Sequence, residues 1–423
     1  MMITRRTLLV TGAVSTAVYA MPAVGRAAQK TTVTISQANP TYRALLSELT
    51  TQFETDNPSK SIKFVADGDN WDPLLNSTIR GSLVNSLPDG SWQALTYARI
   101  LANRKIAQPL NKLFGGDTGC FEVLGLSKTM IDAASVNGEV FSVPFGTTIP
   151  VIYCNMDLLR KAGYSNPKPP TSWDEIHEVG LKVKGLNETV SGGFIEYEAS
   201  NAWMFQTLLS SYGGEMMNPV RNAIAFDGPA GLQALTTLAR FGEIVRTDMS
   251  AEQARQAFKS GSTAIHIQSA SGMTSTANAA AGHFELTIAQ IPVEPQGRLA
   301  GAGHGFFMFT KDQAKQEVML DFMKFAASKK GQMILAKNSG YMPINLVALK
   351  DSVFLDEYLK INPLHRDIVK RLAVTGDQFS FPSDNTAKIV KMMSDQMRGV
   401  LFRGSKPEEA LQNMAGQTKK LLG

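Results

Sequence analysis

The stretch from Pro144 to Asn155 constrains this chain more than any other. Pro144 and Pro150 fix two φ angles and bias the residue before each toward extended backbone. Gly146 and the hydroxyls of Thr147 and Thr148 lie between them, and Val151, Ile152 and Tyr153 follow as a β-prone run. The pattern predicts a loop that becomes a buried strand. Behind it come a helix at 156–162 stopped by Gly163, a Pro-rich loop at 166–170, and Ser172 with Glu175 at the spacing of a capping box that opens a second helix.

The same alternation runs through the rest of the chain. Strands are expected at 32–35 and 62–65, with an amphipathic helix at 42–53 between them carrying Leu45, Leu46, Leu49 and Phe53 on one side. A helix at 71–84 opens on Asp72-Pro73, and 89–97 should hold the end of a third strand and a turn. Asn137-Gly138 predicts a hairpin feeding into Pro144. Strand, helix and strand at these lengths make βαβ units in largely parallel sheets. Further on, helices are expected at 203–212, 228–245, 251–259, 388–400 and 407–422, and a turn and strand at 260–267. A length of 423 residues suits two or three domains, and 43% hydrophobic with 19% charged residues gives enough apolar material for sizeable cores.

Several ordered motifs resemble the bacterial extracellular solute-binding proteins of the sugar-binding type. The longest runs from Pro150-Val151-Ile152-Tyr153 through Leu158-Leu159-Arg160-Lys161-Ala162-Gly163 to Pro169-Pro170-Thr171-Ser172-Trp173-Asp174-Glu175. Others are Tyr212-Gly213-Gly214, Phe258-Lys259-Ser260-Gly261, Gly340-Tyr341-Met342-Pro343, and Ser405 to Leu411. The resemblance implies an α/β, two-lobed periplasmic binding protein fold of type II, with a ligand cleft between lobes joined by hinge crossings. It places lobe 1 at 28–148 plus 302–345 and lobe 2 at 149–301 plus 346–423, with crossings near 145–151, 301–305 and 342–346. It further implies a protein delivering a sugar, oligosaccharide or polyol to the permease subunits of an ABC importer. Its style is closest to the glycerol-3-phosphate/sugar branch, which keeps a glycerol-3-phosphate or glycerophosphodiester ligand as the alternative. The segment 377–382, where that branch carries an arginine, has none here, so a neutral solute is favoured.

The N-terminus reads as an export signal. Arg5-Arg6 precedes a modest apolar run from Leu8 to Met21, and Gly25-Arg26-Ala27 offers small residues for cleavage near Ala27. Residues 1–27 would then be removed and the rest exported to the periplasm, by a twin-arginine or a Sec route. The formal charge of +5, three of it from arginines in that leader, and the lack of a long basic run argue against a nucleic-acid partner. Two cysteines, Cys120 and Cys154, are open to two readings, one disulfide or a buried thiol at Cys154.

Catalytic and metal patterns are poor. The five histidines have no pair at zinc-helix spacing, and neither a G-x-S-x-G elbow nor a P-loop is present. No metal or other cofactor is expected, and a monomer is. A polysaccharide-active enzyme would need paired carboxylates; Glu196 and Glu198 read as a solvated strand edge. A polyol cleft needs flat aromatic faces and fixed polar groups. Trp71, Trp92 and Trp203 each stand beside polar residues, whereas Trp173 sits inside the capping box. By resemblance, Trp71, Trp92, Trp203 and Tyr341 would face the ligand. Gln93, Thr147, Thr148, Ser269, Ser271, Gly303 and His304 would supply polar and backbone contacts.

Overall fold

The computed structural model describes residues 30–38, 40–68, 70–116, 119–366, 375–376 and 378–423. The expected export signal lies outside them.

The two cores are separate, each built on its own sheet. In the first sheet the strands Thr31–Gln37, Lys60–Ala66 and Gly90–Ala94 run parallel. Ala302–Met308 pairs antiparallel with Gly90–Ala94 and with Ser142–Thr148, which forms the edge. Helix Arg43–Asp56 covers the sheet with Leu45, Leu46, Leu49 and Phe53, the apolar side expected from their spacing. Helix Gln313–Ala327, capped by Asp312, adds Phe322. The Phe322 ring lies 5.4 Å from Phe53, 5.2 Å from Phe306 and 5.9 Å from Phe64.

The second sheet is four-stranded. Pro150–Asn155 lies between Leu286–Gln290 and Thr263–Ser269, antiparallel to both, and Ser191–Ile195 runs parallel to Thr263–Ser269. Helices Trp173–Lys184 and Pro229–Ile244 pack on it, and Thr386–Phe402 and Pro407–Leu422 close over Pro229–Ile244. Ser172 caps the first of these, its hydroxyl accepting the Glu175 N–H at 3.2 Å.

Two expectations are corrected. The loop expected before Pro150 is strand: Ser142–Thr148 pairs antiparallel with Ala302–Phe307 except at Phe145. Pro144 fits because it lies on an edge strand, opposite a register shift between His304 and Gly305. The third crossing is not at 342–346. Helices Leu346–Lys350 and Ser352–Ile361 stay with the first lobe, where Ala348, Phe354 and Tyr358 bury against Ala336 of helix Lys329–Asn338. The chain has reached the second core by Phe381. Of the two readings left open for the cysteines, the buried thiol holds: no disulfide joins Cys120 and Cys154. Cys120 packs against the first core, while Cys154 is buried in the second, where burial pushes its thiol up to about 12.

Phe322→Ala should lower stability by about 3–5 kcal/mol, because its neighbours belong to three different elements and cannot collapse into the space. A denaturant midpoint equal to that of the native chain would show that the two-sided packing of this ring is dispensable.

Candidate functional site

The lobes face each other across two adjoining cavities. The larger, about 1030 Å³, is lined by Asp72, Thr96, Tyr97 and Arg99 from the first lobe and by Glu198 and Asn201 from the second. The smaller, about 480 Å³, is lined by Thr147, Gly303, Arg221 and Gln378. Thr96, Arg99 and Ser380 border both. The first-lobe residues follow the carboxyl ends of Lys60–Ala66 and Gly90–Ala94, the position where open α/β sheets place their ligands.

An aromatic cluster, buried in the first core, packs behind the first-lobe wall of these cavities. Trp71 opens helix Trp71–Leu83, held by the Asn70 cap at 2.8 Å, and its indole lies 4.2 Å from the His304 ring. Trp92 meets Trp71 edge-on at 5.4 Å, and Tyr341 lies 5.4 Å from His304. His304 is buried, and burial lowers it to about 3, so the imidazole is neutral. Its Nδ1 lies 3.2 Å from the Tyr341 hydroxyl, while its Nε2 has no protein partner. Tyr42, which the sequence did not single out, belongs to the same cluster, 5.2 Å from Trp92.

A chain of hydroxyls lies beside it at the crossing. Thr148 Oγ1 is 2.9 Å from Ser269 Oγ, which is 2.7 Å from Ser271 Oγ, which is 2.8 Å from the Tyr42 hydroxyl. The Ser271 N–H donates to Thr148 Oγ1 at 3.1 Å. Thr147 is tied into the same crossing, its N–H donating to Met342 O at 3.2 Å and its hydroxyl to Ala302 O at 3.2 Å.

Three of the residues expected at the site face elsewhere. Gln93 Nε2 donates to Thr78 and Ser91 inside the first lobe, at 2.9 and 3.0 Å. Trp92 is wholly buried in the cluster. Trp203 is committed to the second crossing: its indole N–H donates to Ala300 O at 2.8 Å and its ring packs on Ala300 and Ala302. The polar residues before it mark a backbone knot, with Asn201 at φ 58° and Ala202 at φ 53°. An alanine in the left-handed region is strained by about 1–3 kcal/mol. The knot is held by Asp72, which accepts the Asn201 N–H, and by Gln206, whose side chain donates to Asn201 O at 2.6 Å and to Phe379 O at 3.0 Å.

Asp72, Tyr97 and Asn201 were missed, although the N-terminal helix position of Asp72 after a parallel strand is a signal that could have found it. Burial raises Asp72 above the usual carboxylate range, against the pull of the Tyr97 hydroxyl that donates to it. Glu196 is also not the solvated edge expected. It is buried, paired bidentately with Arg255 at 2.8 and 2.7 Å, with His266 Nε2 at 3.3 Å. Burial pushes its carboxyl up, but Arg255 and His266 more than offset this and hold it at about 2. Among the described residues no cluster of His, Cys, Asp or Glu could hold a metal ion, and no helix is long and apolar enough to cross a membrane.

Comparison with known proteins agrees with this architecture. The family profile described as "Bacterial extracellular solute-binding protein" matches residues 25–360. A binding protein of Brucella abortus is 23% identical over 408 residues, 92% of each chain. The sn-glycerol-3-phosphate-binding periplasmic protein UgpB of Brucella melitensis is 26% identical over 281 residues, 63% of this chain and 61% of that one. Two solved structures share the fold with a TM-score of 0.79. One is UgpB of Mycobacterium tuberculosis in complex with glycerophosphocholine, 19% identical, covering 93% of this chain and 98% of that one. The other is an ABC substrate-binding protein of Listeria monocytogenes in complex with cycloalternan, 18% identical, covering 93% and 99%.

The Glu196 pair should govern acid stability. Its folded pKa of about 2 lies below the ordinary 4.5, so its stabilisation is present above about pH 4.5 and is lost as pH falls toward 2. His266, held low by burial despite Glu196, acts in the same sense, since a buried neutral imidazole must charge as pH falls. Glu196→Gln removes the bidentate carboxylate from buried Arg255, leaving it only Glu252 at 3.7 Å, and should cost about 3–5 kcal/mol at pH 7. The variant's stability should then fall less steeply between pH 4.5 and 2. Parallel pH profiles for the two proteins would refute this assignment.

Proposed function

Because this chain belongs to the bacterial extracellular solute-binding protein family, we propose that it captures a carbohydrate-like solute between its lobes and delivers it to the permease subunits of an ABC importer. What supports this reading is an interlobe cavity whose wall is backed by a buried, neutral aromatic shelf and, at the crossing, by a chain of hydroxyls. Trp71, His304 and Tyr341 make the shelf, and Thr148, Ser269 and Ser271 the chain. Rings suit the C–H faces of a sugar or polyol, and hydroxyls and backbone groups suit its oxygens. Thr147 and Gly303, on the wall of the smaller cavity, add a hydroxyl and backbone groups. Asp72 and Tyr97 extend the site into the larger cavity.

Capture would proceed by rotation of the lobes about the crossings at 148–150 and 300–302 and a third after Ile361, with the solute favouring the closed form. In this proposal lobe 1 is 28–148 plus 302 to about 361, and lobe 2 is the remainder of the exported chain. The leader is cleaved near Ala27, the exported protein is a monomer, and it returns its solute unchanged.

A second reading, a glycerol-3-phosphate or glycerophosphodiester ligand, is favoured by Arg99 and Arg221, which come from opposite lobes onto the smaller cavity. These arginines are distant in sequence from the segment where one was sought, and a phosphate is well matched to guanidinium.

A thermal-shift screen of neutral sugars, polyols and glycerol phosphates should find a stabilising solute, since a ligand of the folded state raises the melting temperature by mass action. Trp71→Ala should weaken that binding by about 2 kcal/mol or more, roughly thirtyfold. Unchanged affinity in Trp71→Ala would remove the aromatic shelf from the site. Stabilisation by glycerol phosphates alone would select the second reading.

A further inference from the structure

Tyr42 lies where the first strand meets helix Arg43–Asp56, buried, with its ring 5.4 Å from Tyr341 and 6.4 Å from Trp71. Its hydroxyl crosses to the other lobe, 2.8 Å from Ser271 Oγ. The carbonyl of Ser271 accepts the Gly340 N–H at 2.8 Å. Two groups of the first lobe therefore hold one residue of the second. Gly340 allows the approach because a Cβ there would run into the carbonyl oxygen of Ala270, also of the second lobe. Ser271 is in turn fixed to the crossing through Ser269 and Thr148. Burial holds the Tyr42 phenol above its ordinary value, against the Ser271 bond, so it keeps its proton.

We propose that Tyr42 is a positioning residue for solute capture, which ties the aromatic shelf to Ser271 and sets how readily the lobes come together. The proposal rests on capture by lobe closure. It gives Tyr42 a role distinct from stacking on solute: the ring is part of the shelf, and the hydroxyl is the latch. Opening the lobes here breaks the bond to Ser271 and bares both hydroxyls, so the bond biases the closed form before any solute adds its own contacts.

The test is small-angle scattering of the full exported chain with no solute added. Tyr42→Phe keeps the ring and deletes only the hydroxyl. It should shift the closed-to-open ratio about fivefold toward open, the worth of one hydrogen bond, read as a larger radius of gyration. Ser271→Ala removes the same bond from the other side and should give a similar shift; it decides the matter should Tyr42→Phe fold poorly. The double variant should open no further than Ser271→Ala alone, because that change already removes the Tyr42 bond together with the contact Ser271 makes to Tyr341. Gly340→Ala should open the lobes more than either. Native scattering from Tyr42→Phe and Ser271→Ala, fully additive opening in the double variant, or a native profile for Gly340→Ala would each overturn the latch. Because no solute enters, failure here leaves the proposed solute class standing, and a failed solute screen leaves the latch standing.

Discussion

The structure depends on how one stretch of backbone serves two sheets. Ser142–Thr148 is the edge strand of the first sheet, and Pro150–Asn155 is an inner strand of the second, with only Ile149 between them. Each strand is laddered to a neighbour in its own sheet, so neither can slide without breaking those bonds. Ile149 itself is buried, and its carbonyl accepts the Ala270 N–H at 2.9 Å. The lobes are thereby fixed in register at the crossing and free to differ only in angle. The polar groups that could recognise a solute sit within a few residues of this point, where a small rotation changes their separation least. Thr147, Thr148, Ser269 and Ser271 are all there because the crossing is there.

The cleft is organised to keep its polar groups neutral where they meet rings and charged where they meet each other. His304 against Trp71 is held as imidazole by burial, which leaves a flat, uncharged surface. Glu196 and Arg255, by contrast, remain charged deep in the second lobe because each has the other. A buried pair of this kind adds little net stability over a well-packed apolar pair, but its members cannot be separated cheaply. It lies behind the strand that carries His266, Gln268 and Ser269, with Gln268 Nε2 at 3.3 Å from His266 Nδ1. Such a pair specifies one arrangement of the wall behind the hydroxyls, and that rigidity suits a site whose work is recognition.

The architecture was legible from the sequence because it rests on local signals. The spacing of Leu45, Leu49 and Phe53, the Ser172 cap and the Asn137-Gly138 turn each act over a few residues, and each is found. Trp71 is placed in the same way, by its own helix start. What failed was whatever depended on a distant partner. Trp203 and Trp71 carry similar local signals, polar residues before a helix, yet the Trp203 indole is committed to Ala300. Glu196 alternates like a surface residue, and only Arg255, on another helix, makes it internal. The third crossing was placed too early because no local signal shows that the helices after Met342 turn back onto Ala336 of the first lobe.

The knot at Asn201-Ala202 joins these themes. Nothing in its local sequence calls for two consecutive left-handed residues without a glycine. The strain is tolerated because partners from three directions meet there: Asp72 from the opposite lobe, Gln206 from the helix that follows, and Phe379 from the returning chain, whose carbonyl accepts the Asn201 side-chain amide. The knot also borders the larger cavity through Asn201. Strain of this kind persists only where surroundings over-determine it. Of the three partners, Asp72 alone belongs to the other lobe, so the backbone at the cavity wall is best held when the lobes are together. A group that reaches Asp72 from the cavity would therefore compete for, or complete, the same carboxylate that steadies the wall.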